Sequence, residues 1–195
     1  MKALMFTIRK ATKDDLDYLV YVETLSEGYT GENRMVSHDP EVVEAEKRKI
    51  LRYCDTASNY GDTEIDNCPK FTFIAMNDDE KVGMIMFTFR DYTAPGFQPF
   101  GIFDKLDLSI FPEDGRFCEI FNLWVDPRYR RKGVATLLKR HAEKVSREHG
   151  YSMIYTHTEV KNSHVVQLNL NLGYRIIRTG PLWDVVERVS MIKYL

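Results

Sequence analysis

Residues 119–144 read EIFNLWVDPRYRRKGVATLLKRHAEK. A nearly continuous apolar run ends at Val125, Asp126-Pro127 turns the chain, and Arg130-Arg131-Lys132-Gly133-Val134-Ala135 leads straight into an amphipathic pattern. This order predicts a strand, a turn and a helix N-terminus in immediate succession. Small residues at Gly133 and Ala135 let a backbone close in on a ligand without a side chain intervening. The first amides of a helix have no intrahelical partners and its dipole adds partial positive charge, so the turn is suited to phosphate oxygens. Arg130, Arg131 and Lys132 add cationic side chains. Two other phosphate motifs fail on inspection: a P-loop needs Gly-Lys-Ser/Thr where this chain has Lys132-Gly133, and no Gly-x-Gly-x-x-Gly follows a strand. Taken alone, a solvated basic turn at a helix entry would account for the segment.

Working outward, the downstream pattern is strongly α/β. Gly133 to about His149 predicts a helix, Ser152–Thr158 a strand, Ser163–Leu172 a helix ended by Gly173, and Tyr174–Arg178 and Val185–Lys193 two last strands. Upstream, Cys118–Val125 is a strand, and Lys70–Met76 with Lys81–Phe89 forms the clearest hairpin, turning at residues 77–80. Residues 6–10 make a first strand, and Thr12 with Asp14 and Asp15 makes a helix start running to about residue 25. Asp39-Pro40 opens a second helix to about Cys54. Residues 28–40 and 55–69 read as loops. Residues 91–117 form a long Pro- and Gly-containing insertion with six aromatics, a content that favours folding over something.

At 195 residues the chain suits one domain, 1–195, carrying the 91–117 insertion. Apolar residues at 44% and charged residues at 29% exclude wholesale disorder, and a net charge of −2 argues against a dedicated nucleic-acid binder. The longest apolar-leaning run, Val82–Phe89, is far short of the roughly 18 residues of a membrane span. The opening MKALMFTIRKATKDD has no long apolar core and no cleavage site, so the expectation is a cytoplasmic protein. Cys54, Cys68 and Cys118 are widely spaced reduced thiols, and the dispersed histidines form no metal pattern. No metal is expected. Eight Lys/Arg against the single acid Glu143 lie between 128 and 147, and the rest of the chain carries −9. A basic cofactor site in an acidic body fits a polyanionic cofactor and a cationic acceptor, although Lys139–Arg147 reads more simply as a solvated helix face.

The same segment resembles the signature of the GCN5-related N-acetyltransferases, the GNAT superfamily. Arg130, Gly133 and Ala135 stand where that family has Arg/Gln-x-x-Gly-x-Gly/Ala, after a Leu123-x-Val125-x-Pro127-x-Tyr129 lead-in. A second block, Asn162 followed by Leu168, Leu172, Gly173 and Tyr174, resembles the family's later helix and strand. The resemblance is specific over residues 118–175. It implies a mixed α/β sheet of six to seven strands with about four helices, splayed near the fourth and fifth strands to admit coenzyme A. By the same resemblance, Leu123, Trp124 and Val125 would meet the pantetheine. Arg130, Arg131, Lys132, Gly133, Val134, Ala135 and Thr136 would hold the pyrophosphate, with Asn162 and Asn169 as further cofactor contacts. Asn162 also reads as a helix cap.

The implied activity is transfer of an acetyl group from acetyl-CoA directly to an amine in a ternary complex. An alkyl ammonium with pKa near 10.4 costs about 4–5 kcal/mol to deprotonate at neutral pH, so a base is wanted. Glu119 matches the family's glutamate base, and equally reads as a strand-end carboxylate paired with a lysine. Many members place a tyrosine acid seven residues after the asparagine, where this chain has Asn169, an amide with no proton to give. Tyr155 or Tyr174 would substitute, or the thiolate, with pKa near 8.5, leaves unassisted. A small primary amine is the first expectation for the acceptor, and a peptide or protein amine the second. A GNAT module that binds acyl-CoA for sensing without turnover is the alternative from another class, suggested by the missing tyrosine. No nucleic-acid or membrane partner is expected, and the chain would act alone or as a homodimer.

Overall fold

The computed structural model describes residues 5–26, 44, 48, 70–95, 97 and 103–195. Seven strands form one mixed sheet in the order β1-β2-β3-β4-β5-β7-β6. They are β1 (Phe6–Lys10), β2 (Lys70–Asn77), β3 (Glu80–Asp91), β4 (Arg116–Val125), β5 (Met153–Glu159), β6 (Arg175–Pro181) and β7 (Glu187–Tyr194). Three helices are described: α1 (Leu16–Ser26), α2 (Val134–Glu148) and α3 (Ser163–Asn171). The helix expected from Pro40, the loops 28–40 and 55–69, and Phe100 lie outside the described residues, apart from Glu44 and Arg48, which are helical.

The chain packs as two compact units, Met1–Met86 with Asn122–Leu138, and Phe87–Phe121 with Lys139–Leu195; the boundaries fall inside β3, β4 and α2. In the first unit β1 runs antiparallel to β2, from Phe6 opposite Asn77 to Lys10 opposite Phe73. Asp78, at φ 49°, makes the β2–β3 turn, a left-handed conformation that aspartate tolerates better than most residues. The helix expected after Thr12 opens as a 3-10 turn, Lys13–Asp15, before α1 begins. The buried Asp15 carboxylate accepts from the Thr12 amide (2.9 Å) and from both terminal nitrogens of Arg9 (2.6 and 2.7 Å), and pairs with Lys81 (2.7 Å). Those bonds, Arg9's first, hold its carboxyl well below the usual range. They tie the start of α1 to β1 and β3. A Cβ on Gly83 would lie 2.9 Å from the Trp124 carbonyl and 3.2 Å from Val134, so glycine lets β3 sit directly under β4 and the first turn of α2.

In the second unit β4 and β5 are parallel over three pairs, Cys118/Ile154, Glu119/Tyr155 and Ile120/Thr156. β5 pairs antiparallel with β7 from Met153/Tyr194 to Glu159/Arg188, and β6 with β7 through a bulge between Ile176 and Arg178. The described part of the 91–117 segment packs against the sheet. Phe103, Leu106 and Phe111 join Phe117, Met153, Tyr155 and Ile192 in a buried cluster, with Tyr92 and Phe97 packed against it. Two short 3-10 turns, Phe103–Lys105 and Leu108–Ile110, bring these rings inward. Lys139 departs from its reading as part of a solvated face: it is 1% exposed. It lies four residues after Ala135 and three before Ala142, on the stripe of α2 that also buries Leu138 and Ser146.

Candidate active site

The turn between β4 and α2 is built within the first unit. Asp126 accepts from the Arg128 amide (2.8 Å) and starts a 3-10 turn, Pro127–Tyr129. The Asp126 amide donates to the Val82 carbonyl (3.0 Å), so by strand alternation the peptide groups of Leu123 and Val125 point away from β3. The Val125 carbonyl accepts from Arg130 Nε (3.1 Å), tying that guanidinium back to the strand end. Tyr129 anchors the turn by donating to Glu80 (2.5 Å), while Lys132 Nζ lies 5.0 Å from the centre of its ring. Trp124 meets Tyr18 of α1 edge-on at 6.4 Å.

Arg130, Arg131, Lys132 and Gly133 are exposed, Val134 is buried, and Ala135 and Thr136 are half-buried. Gly133 has φ +88°, and no atom would lie within 4 Å of a Cβ there. The glycine is therefore required by backbone conformation rather than by a neighbouring wall. Arg131 also adopts a left-handed φ, 62°. The Leu137 amide is bonded to the Gly133 carbonyl (2.9 Å), so the amides of residues 134–136 come before this helical hydrogen bond. A run of outward amides among exposed cations suits a diphosphate.

Glu119, Tyr155, Tyr174, Asn162 and Asn169 belong to the second unit. Glu119 is 3% exposed, faces Tyr155 across the ladder, and forms an ion pair with Arg90 Nε rather than with a lysine. Tyr155 is fully buried with its hydroxyl 3.1 Å from Ser190 Oγ, and burial raises its pKa. Tyr174 is buried beside Asn169, whose backbone carbonyl accepts its amide (3.0 Å). Asn169 is 1% exposed; its Nδ2 approaches Met191 Sδ at 3.6 Å, and its Oδ1 has no hydrogen-bond partner among the described residues. Asn162 does occupy the N-cap of α3, but its side chain makes no capping hydrogen bond; its carbonyl takes the Val165 and Val166 amides instead.

One residue here escaped the sequence reading. His157, two residues along β5 from Tyr155, has a ring 6.0 Å from Tyr155 and 5.2 Å from Trp183, and its Nδ1 is buried without a partner among the described residues. Burial, helped by the Arg188 charge, lowers its pKa to about 4. It is therefore an uncharged imidazole at neutral pH, and a weak base. The alternation of β5 puts Tyr155 and His157 on one face, the available signal; a lone histidine without a metal partner hid it. Among the described residues no group of three or more His, Cys, Asp or Glu could hold a metal ion, and no helix is long and apolar enough to cross a membrane.

Solved structures similar to this chain include acetyltransferases. Arabidopsis thaliana NAA60 in complex with acetyl-CoA matches with a TM-score of 0.65 at 15% identity, over 98% of this chain and 99% of that one. The PaiA N-acetyltransferase of Thermoplasma acidophilum in complex with coenzyme A matches with a TM-score of 0.64 at 18% identity, over 98% and 100%. These likenesses establish an acetyltransferase fold. Residues 37–174 match the model of the Acetyltransferase (GNAT) family, and the chain belongs to that family. A curated relative, GCN5-related N-acetyltransferase 6, chloroplastic, of Arabidopsis thaliana, is 29% identical over 111 residues, 56% of this chain and 38% of the relative. The chain thus spans well under half of that relative's length.

Proposed function

We propose that this chain is an acetyl-CoA-dependent N-acetyltransferase that passes the acetyl group directly to a primary amine in a ternary complex. The observation that carries the reading is the 130–136 turn, where a left-handed glycine, exposed Arg130, Arg131 and Lys132, and the first amides of α2 converge after a strand whose peptide groups at Leu123 and Val125 point away from β3. Coenzyme A would lay its pantetheine along those peptide groups and its pyrophosphate on the turn. Bound acetyl-CoA supplies the activated acyl group. Glu119 would take the proton of the attacking amine, with the uncharged but weakly basic imidazole of His157 as a second candidate. The thiolate would leave without a protein acid, since the hydroxyls of Tyr155 and Tyr174 are buried and Asn169 has none to offer. The family match crosses both compact units, which supports one catalytic domain.

A small amine is the favoured acceptor and a peptide or protein amine the second. A module that binds acyl-CoA without turnover is the competing reading, favoured by Asn169. The experiment mixes acetyl-CoA with a panel of alkyl amines, polyamines and unblocked peptides, follows released thiol and weighs the products. Acetylated amine among the products would support the transferase, whereas tight coenzyme A binding with no thiol release across the panel would favour the sensing module.

A further inference from the structure

The ion pair between Arg90 and Glu119 is not isolated. Arg90 is the penultimate residue of β3, at the point where the chain leaves for the aromatic segment. Its guanidinium carbon lies 5.7 Å over the ring of Phe103, which returns from that segment. Phe103 in turn packs on Phe117 (5.4 Å) and Tyr155 (5.5 Å). Phe117 precedes Glu119 by two residues on the same face of β4, and Tyr155 is its ladder partner. One ring therefore touches the cation that grips Glu119 and both residues that wall it.

We infer that Arg90 is the positioning residue of Glu119, and that packing of Phe103 against the Arg90 guanidinium fixes the orientation and charge of that carboxylate. The inference rests on the reading of Glu119 as the proton acceptor. Two opposing effects act on a carboxyl placed among rings: burial favours the neutral acid, and a guanidinium favours the carboxylate. The groups set against Glu119 include Arg90 from β3 and Tyr155 from β5, with Arg178 of β6 acting on that same tyrosine, while the Cys118 thiol, on the opposite face of β4 by strand alternation, feels its charge. Of these, Arg90 is the cation in contact with the carboxylate. Nε, the inner nitrogen, makes the contact. A lysine would return the charge without the planar group that lies over Phe103.

The test uses the full chain as wild type, Arg90→Met, Arg90→Lys, Glu119→Gln and the Arg90→Met/Glu119→Gln double variant. Turnover is measured with acetyl-CoA and whichever of spermidine, tyramine or an unblocked Met-leading peptide reacts fastest. Carboxyl infrared difference spectra over a pH series read the charge of Glu119 without any acceptor. Arg90→Met should gain a protonated-carboxyl band at neutral pH that is absent from wild type and from the double variant, and the acid limb of kcat/KM should move to higher pH. Arg90→Lys should keep that limb in place and lose roughly tenfold or more in kcat, with KM for acetyl-CoA unchanged. An unmoved limb and no new band in Arg90→Met, while Glu119→Gln loses turnover, would overturn the role of Arg90 alone. Undiminished turnover in Glu119→Gln would instead take down the base on which it rests. Should Arg90→Met fail to fold, Arg90→Lys decides, and wild-type kcat in that variant rejects the inference.

Discussion

Lys139 Nζ lies 4.6 Å from the centre of the Tyr174 ring, and neither that nitrogen nor the Tyr174 hydroxyl has a hydrogen-bond partner among the described residues. Nearby, Lys193 pairs with Glu143 at 2.8 Å and lies 5.7 Å from the same ring. Burial lowers the Lys139 pKa to about 7, with Lys193 adding to the effect against the charge of Glu143. From about pH 7 to the ordinary lysine value the unfolded chain holds a proton that the folded chain lacks, so this residue makes stability rise with pH. Cys118, pushed up to about 12 by burial, acts oppositely above the ordinary thiol range, because there the unfolded chain gives up a proton that the folded one keeps. The window in which Lys139 dominates this pair is therefore about pH 7 to 8.5. Chemical denaturation across that window should show stability increasing, and Lys139→Met should flatten the slope while stabilising the protein at pH 7 by a few kcal/mol, roughly 4 at most. A Lys139→Met variant less stable than wild type at pH 7 would contradict this account.

Coenzyme A binding should raise the stability of the folded chain, since the unfolded chain has no turn to hold the pyrophosphate. At 100 times the dissociation constant the gain is about 2.7 kcal/mol. Gly133→Glu places a charged side chain where the phosphates would go and forces φ +88° on a residue with a Cβ. The apo protein should lose about 1–2 kcal/mol from backbone strain, with no clash to add to it because no atom stands within 4 Å. Thermal melts with and without coenzyme A check both parts; a variant that keeps the ligand-induced shift would move the pyrophosphate elsewhere.

How far the sequence carried these conclusions depended on whether the signal was local. The β2–β3 hairpin, the turn at Asp126-Pro127 and the start of α2 were legible because periodicity, turn residues and a glycine mark them within a few positions. β4 starts at Arg116 instead of Cys118, close behind Pro112 and Gly115, whose breaker signals blur the strand's entry. The helix expected after Pro40 falls, apart from helical Glu44 and Arg48, on residues the structure does not describe. The Arg90–Glu119 pair was not legible: its members are 29 positions apart, and their meeting depends on sheet register. Lys139 carries a charge that points to solvent, whereas its spacing from Ala135, Leu138 and Ala142 sets it on the apolar stripe of α2. His157 lacked a neighbour in sequence that would have given it chemistry.

Glu119→Gln should lower kcat by roughly 10² to 10⁴ at neutral pH, with partial recovery in alkali as free amine accumulates. Acetyl-CoA binding should persist. Because the imidazole of His157 stays uncharged down to about pH 4, a role for it would leave no acid limb near neutrality. Steady-state profiles of Glu119→Gln and His157→Gln therefore test the two separately, and a loss under about threefold in Glu119→Gln would assign the base role elsewhere.

Phe97 is half-buried against the cluster, with its ring 5.7 Å from Phe103, whereas Phe103 is buried at the centre of it. If the segment borders the acceptor, Phe97→Ala should raise KM for amine more than KM for acetyl-CoA at small cost to stability. Phe103→Ala should instead destabilise the fold by about 3–5 kcal/mol, the usual cost of emptying a phenylalanine site in a core. Paired kinetics and denaturant titrations distinguish these effects. Equal KM changes for both substrates in Phe97→Ala would confine the segment to packing.

Asn169 tests whether the chain compensates for a missing acid or does without one. Its amide has no proton to give at working pH, it is buried, and its Nδ2 is directed at Met191 Sδ rather than at an oxygen. Asn169→Ala should accordingly cost less than about tenfold in kcat, against the 10² to 10⁴ that follows loss of a true general acid. Removing a buried amide whose Oδ1 has no partner among the described residues should cost little stability, because the desolvation penalty disappears with it. Tyr155→Phe and Tyr174→Phe then ask for a substitute acid, each keeping its ring in place. Tyr155→Phe also removes the contact to Ser190, so its stability must be measured beside its rate. Unchanged kcat in both Phe variants would leave departure of the thiolate unassisted, and kcat should then depend on the basicity of the thiol in a series of acyl-CoA analogues. A hundredfold loss in an Asn169→Ala protein that folds and binds acetyl-CoA normally would instead make Asn169 part of the reacting site.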